Sequence, residues 1–176
     1  MATIELTKQQ ARRFLLLRHG LYGIKRFEKK AGVLEVFDML QSIQYDPIDV
    51  CGRNADLVLQ SRVKHYRKKW LDQLLYKDRL LVDYYDKVLC ILPVQDWPYF
   101  GSVRARYRKH ARSAELLRQI APEVKSLISK QGPLSSKDLP YQDKIDWYWN
   151  ATKRSRAVLE YLYKMRAGEP TVLTVG

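Results

Sequence analysis

The segment LLVDYYDKVLCILP, residues 80–93, limits the possible folds more than any other stretch of this chain. β-Branched and aromatic residues crowd it, and Asp86-Lys87 interrupts the run near its middle, so it reads as two short strands around a tight turn. What precedes it reads as helix. Thr7 followed by Gln10 makes a capping box that opens a helix running to about His19. Gly20 stops that helix, and Phe14, Leu15, Leu17 and Leu21 give it an apolar face at helical spacing. A second helix is expected from about Val33 to Ser42, burying Val33, Val36, Phe37 and Leu40. Asn54 or Asp56 begins a third, which carries Leu57, Leu59 and Val63, and a fourth contains Trp70, Leu71, Leu74 and Leu75. Helices followed by a β-hairpin is the order of a winged helix.

The order then recurs. A basic helical segment, about Ser102 to Ala111, leads into a longer helix from about Ala114 to Lys130, which Gly132-Pro133 ends. Ser135 is placed to cap a short helix containing Leu139. A last amphipathic helix, Lys153 to Arg166, turns Val158, Leu159 and Leu162 inward, and after Gly168 the segment PTVLTVG reads as a wing strand. No partner strand follows it. The expected fold is therefore mainly α with small β-wings, as tandem winged-helix domains over residues 1–95 and 96–176. The second domain is cut short in its wing, as in a fragment of a larger protein.

Charge narrows the partners. Lys and Arg number 32 against 19 Asp plus Glu, a formal net charge of +13, which favours polyanions such as nucleic acid. No apolar run approaches the roughly 20 residues of a membrane-spanning helix. The start, MATIELTKQQARR, lacks the apolar core of a secretory signal, so a cytoplasmic or nucleoid-associated setting is expected. Cys51 and Cys90 are the only cysteines and three histidines are present, too few clustered ligands for a structural zinc site, so neither metal nor cofactor is expected. Both thiols read as small buried apolar groups in a reducing compartment.

Between the second and third helices stands Gln44-Tyr45-Asp46, followed by Pro47. In an extended stretch residues i and i+2 face the same side, so Gln44 and Asp46 address one small object together, and Pro47 biases Asp46 towards extended backbone. An amide beside a carboxylate can hold and polarise a water, and the basic surface can hold a nucleic acid. Together they suggest chemistry on a polyanion. The competing reading is ordinary turn chemistry, with Gln44 and Asp46 capping a helix end and a turn. Arg53 and Arg62, just downstream, are placed to pair with Asp46 or to bind phosphate. A direct pair would depress the Asp46 pKa and weaken it as a base. For Arg62 a structural ion pair or phosphate contact is the better reading.

The stretch SIQYDPIDVCGRNADLVLQSRVKHYRKKWLDQLLYKDRLLVDYYDKVLCILPVQDWPYF, with GPLSSKDL, the WYW triplet and KRSRAVLEYLY, resembles the AlkZ/YcaQ-type DNA glycosylases. These are winged-helix proteins that excise bulky alkylated bases and unhook interstrand crosslinks. The resemblance covers nearly all 176 residues but only the N-terminal half of a typical member, which adds a further winged helix and a β-barrel. It implies that Gln44, Tyr45 and Asp46 correspond to the family's catalytic Gln-apolar-Gln or Gln-apolar-Asp motif. Asp46 would be the general base and electrostatic stabiliser of an oxocarbenium-like sugar, Gln44 would orient water, and Tyr45 would point to the core. The partner implied is damaged double-stranded DNA. Asp83 and Tyr84 match the family's acidic-aromatic pair at the first wing. Tyr85, Asp86 and Lys87 depart from the Trp and Ala-His step that many members carry next. The competing function is a non-enzymatic winged-helix DNA-binding protein or transcription regulator, and a third is a protein-interaction module.

Two basic runs are candidates for DNA contact. Arg104, Arg108 and Arg112 fall on one ridge at helical spacing, suited to a phosphate backbone. Lys153, Arg154 and Arg156 open the helix that takes the place of a second recognition helix. Arg53 is counted with them. Of Trp147, Tyr148 and Trp149, adjacent aromatics read mainly as core, one is expected at the surface.

Overall fold

The computed structural model describes residues 4–46 and 48–166, which form two compact units, Met1–Asp96 and Trp97–Gly176. Pro47 and the PTVLTVG segment lie outside the described residues. The architecture is mainly helical with small sheets.

In the first unit, α1 (Lys8–Arg18) begins at the anticipated capping box: the Gln10 N–H donates to Thr7 Oγ1 at 3.2 Å, and the Thr7 N–H to Gln10 Oε1 at 2.9 Å. It ends on left-handed Gly20 (φ 66°). The Gly20 N–H reaches Leu17 O and the Leu21 N–H reaches Leu16 O, the paired closing bonds of a Schellman motif. Its apolar face, however, stays uncovered: Phe14, Leu15, Leu17 and Leu21 remain 46–59% exposed and no α1 residue is buried.

Strand β1 (Phe27–Glu28) leads into α2 (Lys29–Leu40), which starts earlier than the expected Val33 and buries Val33, Val36 and Phe37. Next come β2 (Ile43–Gln44), α3 (Asn54–Gln60), β3 (Val63–Lys64) and α4 (Lys68–Asp72), continued by a π-helical turn over Gln73–Lys77. Val63, expected on the third helix, lies instead in β3, which pairs parallel with β1. Leu57 is 39% exposed while Leu59 is fully buried. The hairpin forms as anticipated from β4 (Leu81–Tyr85) and β5 (Leu89–Pro93), turning through Asp86–Val88. Sequence periodicity missed β2, which is too short to show any. It adds to the free side of β5 with Ile43 opposite Ile91 and Gln44 opposite Cys90, giving the order β2-β5-β4. Val33, Phe37, Ile43, Leu59, Leu71, Leu74 and Ile91 form the core of this unit.

A 3-10 helix, Val94–Phe100, carries the chain across the unit boundary. The second unit contains α5 (Gly101–His110), α6 (Ala114–Gln131), a short hairpin of β6 (Lys144–Ile145) and β7 (Thr152–Lys153), and α7 (Arg154–Lys164). Leu117, Ala121 and Val124 on α6 face Val158 and Leu162 on α7, with Leu139 and Trp147 completing the core. Ser135 caps no helix. Its N–H and hydroxyl both donate to Asp138 Oδ2 at 2.7 Å, closing a single turn that seats Leu139 in the core.

Gly32 gives the first unit a stability test whose sign is unusual. Alanine in a helix interior is ordinarily better than glycine by about 1 kcal/mol. A Cβ at Gly32, however, would lie 2.9 Å from the Phe27 carbonyl carbon, where α2 crosses β1. Gly32→Ala is expected to lower the unfolding free energy by about 1–3 kcal/mol, the usual cost of overpacking. Urea titration measures it, and a raised midpoint would show that β1 yields to the extra methyl.

Candidate functional site

β2 and its continuation place the Gln-Tyr-Asp motif. The ladder with β5 runs one bond past the strand, Tyr45 N–H to Leu89 O at 2.8 Å, so the backbone stays extended through Tyr45. Alternation then sorts the side chains. Ile43 is in the core and Tyr45 packs against it, while Gln44 is exposed. Beside Tyr45, the Tyr76 hydroxyl is pushed above the usual phenol range, first by burial and then by that neighbouring tyrosine. On the other side, Asn54 Nδ2 donates to Gln44 O at 2.9 Å, tying the first residue of α3 to the motif's backbone.

The two polar side chains themselves are little used. Asp46, half-buried, accepts from the Ile48 N–H through Oδ1 at 3.0 Å, the local turn bond that the competing reading anticipates. Asp46 makes no ion pair among the described residues, and the Gln44 amide makes no hydrogen bond among them. One carboxylate oxygen and one amide are therefore left for an external group.

The nearby cations are engaged elsewhere. Arg53 pairs with Asp56 at 2.6 Å and Asp72 at 3.2 Å, and its guanidinium is held above its ordinary range chiefly by the Asp56 hydrogen bond. Tyr66 donates to the other Asp56 oxygen at 2.6 Å. Its pKa rises through burial first and Asp56 second. Arg62 makes no ion pair among the described residues: it is buried, and donates to the carbonyls of His19 and Val58 at 2.8 and 2.9 Å and to Ser61 Oγ. In this way Arg62 clamps the end of α1 to α3, and burial lowers its pKa. On the hairpin, Asp83 lies opposite Ile91, and Tyr84, opposite Cys90, is fully buried. Burial also raises the Cys90 thiol, whereas Cys51 is exposed, contrary to the expectation that both are buried.

In the second unit the expected ridge of arginines is broken. Arg104 lies 4.4 Å from the Trp97 ring centroid and donates to Trp97 O. Arg108 is exposed in the last turn of α5. Arg112 follows Ala111, where the backbone becomes extended and the helix has already ended. It donates to Trp147 O at 3.1 Å and sits 3.7 Å from Asp146. At the start of α7, the N–H groups of Arg154 and Ser155 are bonded to Asp143 O and Tyr141 O. Arg154 pairs with Asp143 at 2.8 Å, Lys153 donates to Gln142, and Arg156 is exposed without an ion pair among the described residues. Trp147 is buried with its N–H on Glu160, and Trp149 is the exposed member of the triplet. They occupy the loop between β6 and β7, not a strand.

An amide on the sheet edge and a carboxylate two residues on, with a partly buried tyrosine between them and engaged arginines downstream, need a chemical context. Residues 37–167 match the family described as DNA glycosylase AlkZ-like. The chain belongs to this AlkZ-like DNA glycosylase family. The match takes in Gln44, Tyr45 and Asp46, the hairpin and both basic runs. No solved structure matches the chain. Among the described residues no group of three or more His, Cys, Asp or Glu side chains is placed to hold a metal ion. No described helix is long and apolar enough to cross a membrane.

The Arg53 network was hidden in sequence because it joins the start of α3 to Asp72 at the end of α4, and nothing local announces that these ends meet. Asp56→Ala would leave Arg53 and Tyr66 facing an empty buried site. The expected loss is roughly 2–3 kcal/mol, below the 3–5 kcal/mol of a wholly buried pair, because Arg53 is partly exposed and keeps Asp72. Thermal and urea unfolding measure it, and a loss within the roughly 0.5 kcal/mol typical of neutral surface substitutions would show the network to be dispensable.

Proposed function

We propose that this AlkZ-like chain carries the catalytic dyad of a DNA-repair glycosylase, with Asp46 as general base and Gln44 as the residue that orients water. What supports the reading most is the family match, which takes in Gln44 and Asp46, together with a Gln44 amide and one Asp46 carboxylate oxygen that have no partner among the described residues. In the proposed step a water oxygen bonds to C1′ of the damaged nucleotide while the C1′–N bond breaks. Its electron pair leaves with the base, and Asp46 accepts the water proton. With an N7-alkylguanine the departing base is cationic before cleavage and neutral after it, so no proton need be delivered to it. An ionised Asp46 also stabilises positive charge developing on the sugar.

The finer assignments belong to the same proposal. The order α2, β2, α3, β3, α4, β4, β5, with β2 on the free side of β5, supports a winged helix over residues 1–95. Residues 96–176 are proposed as a second winged helix. Bulky alkylated bases in double-stranded DNA are the proposed substrates, and interstrand crosslinks are included. Arg108, Lys153 and Arg156 are the exposed cations of the second unit proposed to meet phosphate. Arg53, Arg104, Arg112 and Arg154 are proposed to act through the local partners that fix them.

The test is single-turnover release of N7-alkylguanine from duplex DNA. Asp46→Asn keeps the size of the side chain and its turn bond to Ile48 but removes the charge. DNA affinity should hold or rise, and the release rate should fall about a hundredfold to ten-thousandfold. Gln44→Ala is expected to cost less than Asp46→Asn. Undiminished release by Asp46→Asn would falsify the assignment, and wild-type binding without release from any alkylated substrate would make the chain a binder.

A further inference from the structure

The parallel pairing of β1 with β3 brings together two segments that the sequence keeps apart. Glu28 lies opposite Lys64, and the residue after each strand, Lys29 and His65, takes a left-handed backbone with φ 56° and 53°. Non-glycine residues avoid this region, and such strain gathers where backbone geometry serves a site. Here the two bends open a cleft of about 490 Å3, lined by Glu28, Lys29, Lys30, Lys64, His65, Arg67 and Trp70. Four cationic side chains face one carboxylate. Glu28 is engaged with Lys64 at 3.3 Å and Lys30 with Asp78 at 2.7 Å. Lys29 and Arg67 are exposed and make no ion pair among the described residues. The cleft therefore carries an excess of positive charge at its rim, which favours an anionic ligand.

We propose that this cleft binds a phosphodiester of a nucleic-acid strand, with Lys29 and Arg67 on the phosphate and the Trp70 indole against an adjoining base or sugar. Its volume is that of an ordinary small-ligand site and exceeds what a bare phosphate fills. Trp70 supplies an aromatic surface on which any base can stack, so recognition is of backbone and not of sequence. The indole is already oriented: Tyr66 meets it edge-on at 6.4 Å between centroids, and the Arg67 guanidinium lies 6.0 Å from its ring. Tyr66 is the residue that donates to Asp56, which holds Arg53. The neighbouring Asn54 holds the backbone of Gln44. The cleft and the Gln-Tyr-Asp motif thus share one continuous set of contacts within the first unit, and a strand gripped at the cleft is gripped by the scaffold that presents the motif. The proposal rests on the DNA-directed reading above and adds where the first unit holds the strand.

Binding of undamaged labelled oligonucleotides, single-stranded and duplex, is measured over a range of salt for the 176-residue chain and for K29E/R67E. Both substituted residues are exposed, and an unchanged thermal unfolding midpoint is the check that the fold is retained. A charge-matched variant, K137E/K144E, replaces two exposed lysines outside the cleft. The expected result is at least a tenfold loss of affinity for K29E/R67E at low salt. Its log–log salt slope should be shallower by about 1.4 on single strands and about 1.8 on duplex, as for two lost phosphate contacts. K137E/K144E should lose distinctly less. Photocrosslinking of an iodouracil oligonucleotide should label the peptide containing Trp70, and inorganic phosphate at millimolar concentration should not displace the strand. The proposal is overturned if K29E/R67E binds like wild type, if the charge-matched variant loses as much, if the crosslink maps away from Trp70, or if phosphate alone competes, the mark of a small-anion site. Excision by Asp46→Asn is read separately. Loss of excision there with unchanged binding by K29E/R67E would remove the cleft and leave the catalytic reading standing, and the reverse pattern would do the opposite.

Discussion

The pairing of β2 with β5 is the contact on which the candidate site depends. Two residue pairs, Ile43 with Ile91 and Gln44 with Cys90, and one further bond from Tyr45 N–H to Leu89 O hold Ile43 to Tyr45 extended at the edge of a three-stranded sheet. Without that ladder the stretch between α2 and α3 would be a loop, and alternation of side chains would have no meaning in it. With it, Ile43 and Tyr45 are anchored in or against the core, and Gln44 is directed away. A slip of one residue would exchange the two sets, sending the amide into a core of Leu, Val and Ile side chains. The buried Ile43 is therefore as necessary to the presentation of Gln44 as any polar contact.

Around this edge, the strongly basic chain has placed its charges selectively. The first two cations downstream of the motif, Arg53 and Arg62, are bound to Asp56 and Asp72 and to backbone carbonyls respectively. A guanidinium salt-bridged to Asp46 would stabilise its ionised form and make it a poorer proton acceptor. Arg53 is instead held on Asp56 and Asp72, which is compatible with the proposed role of Asp46, and the net charge of +13 favours a polyanion. The exposed cations Lys29, Arg67, Arg108 and Arg156 carry no structural ion pair among the described residues, in agreement with a division between cations that build the fold and cations left to meet phosphate.

Sequence revealed those elements whose signals are local. The Thr7/Gln10 box, the Gly20 stop and the Leu80–Pro93 hairpin need only neighbouring residues to be recognised, and each is present in the structure. The family resemblance was legible for a similar reason, since Gln44, Tyr45 and Asp46 are consecutive and lie within the matched residues. Two-residue strands such as β1, β2 and β3 were not legible, because they have no periodicity and exist only through partners far along the chain, Phe27 with Val63 and Ile43 with Ile91. The arginine ridge failed at a helix end. Helical spacing cannot show that α5 stops at His110, before Arg112 is reached. Exposure of α1 was likewise invisible, because an apolar stripe announces that it can be buried and does not say by what.

The central claim is that an ionised Asp46, left without a cation partner, faces the sugar of the damaged nucleotide. It is tested most directly by comparing affinities for two duplexes of identical sequence. One carries a cationic azasugar in place of the damaged nucleotide, and the other a neutral tetrahydrofuran abasic analogue. The azasugar carries positive charge where the transition state does, so wild-type protein should bind that duplex more tightly, and Asp46→Asn should erase the preference while retaining affinity for the neutral duplex. A preference that survives unchanged in Asp46→Asn would contradict the account and return Asp46 to the role of a turn-forming residue.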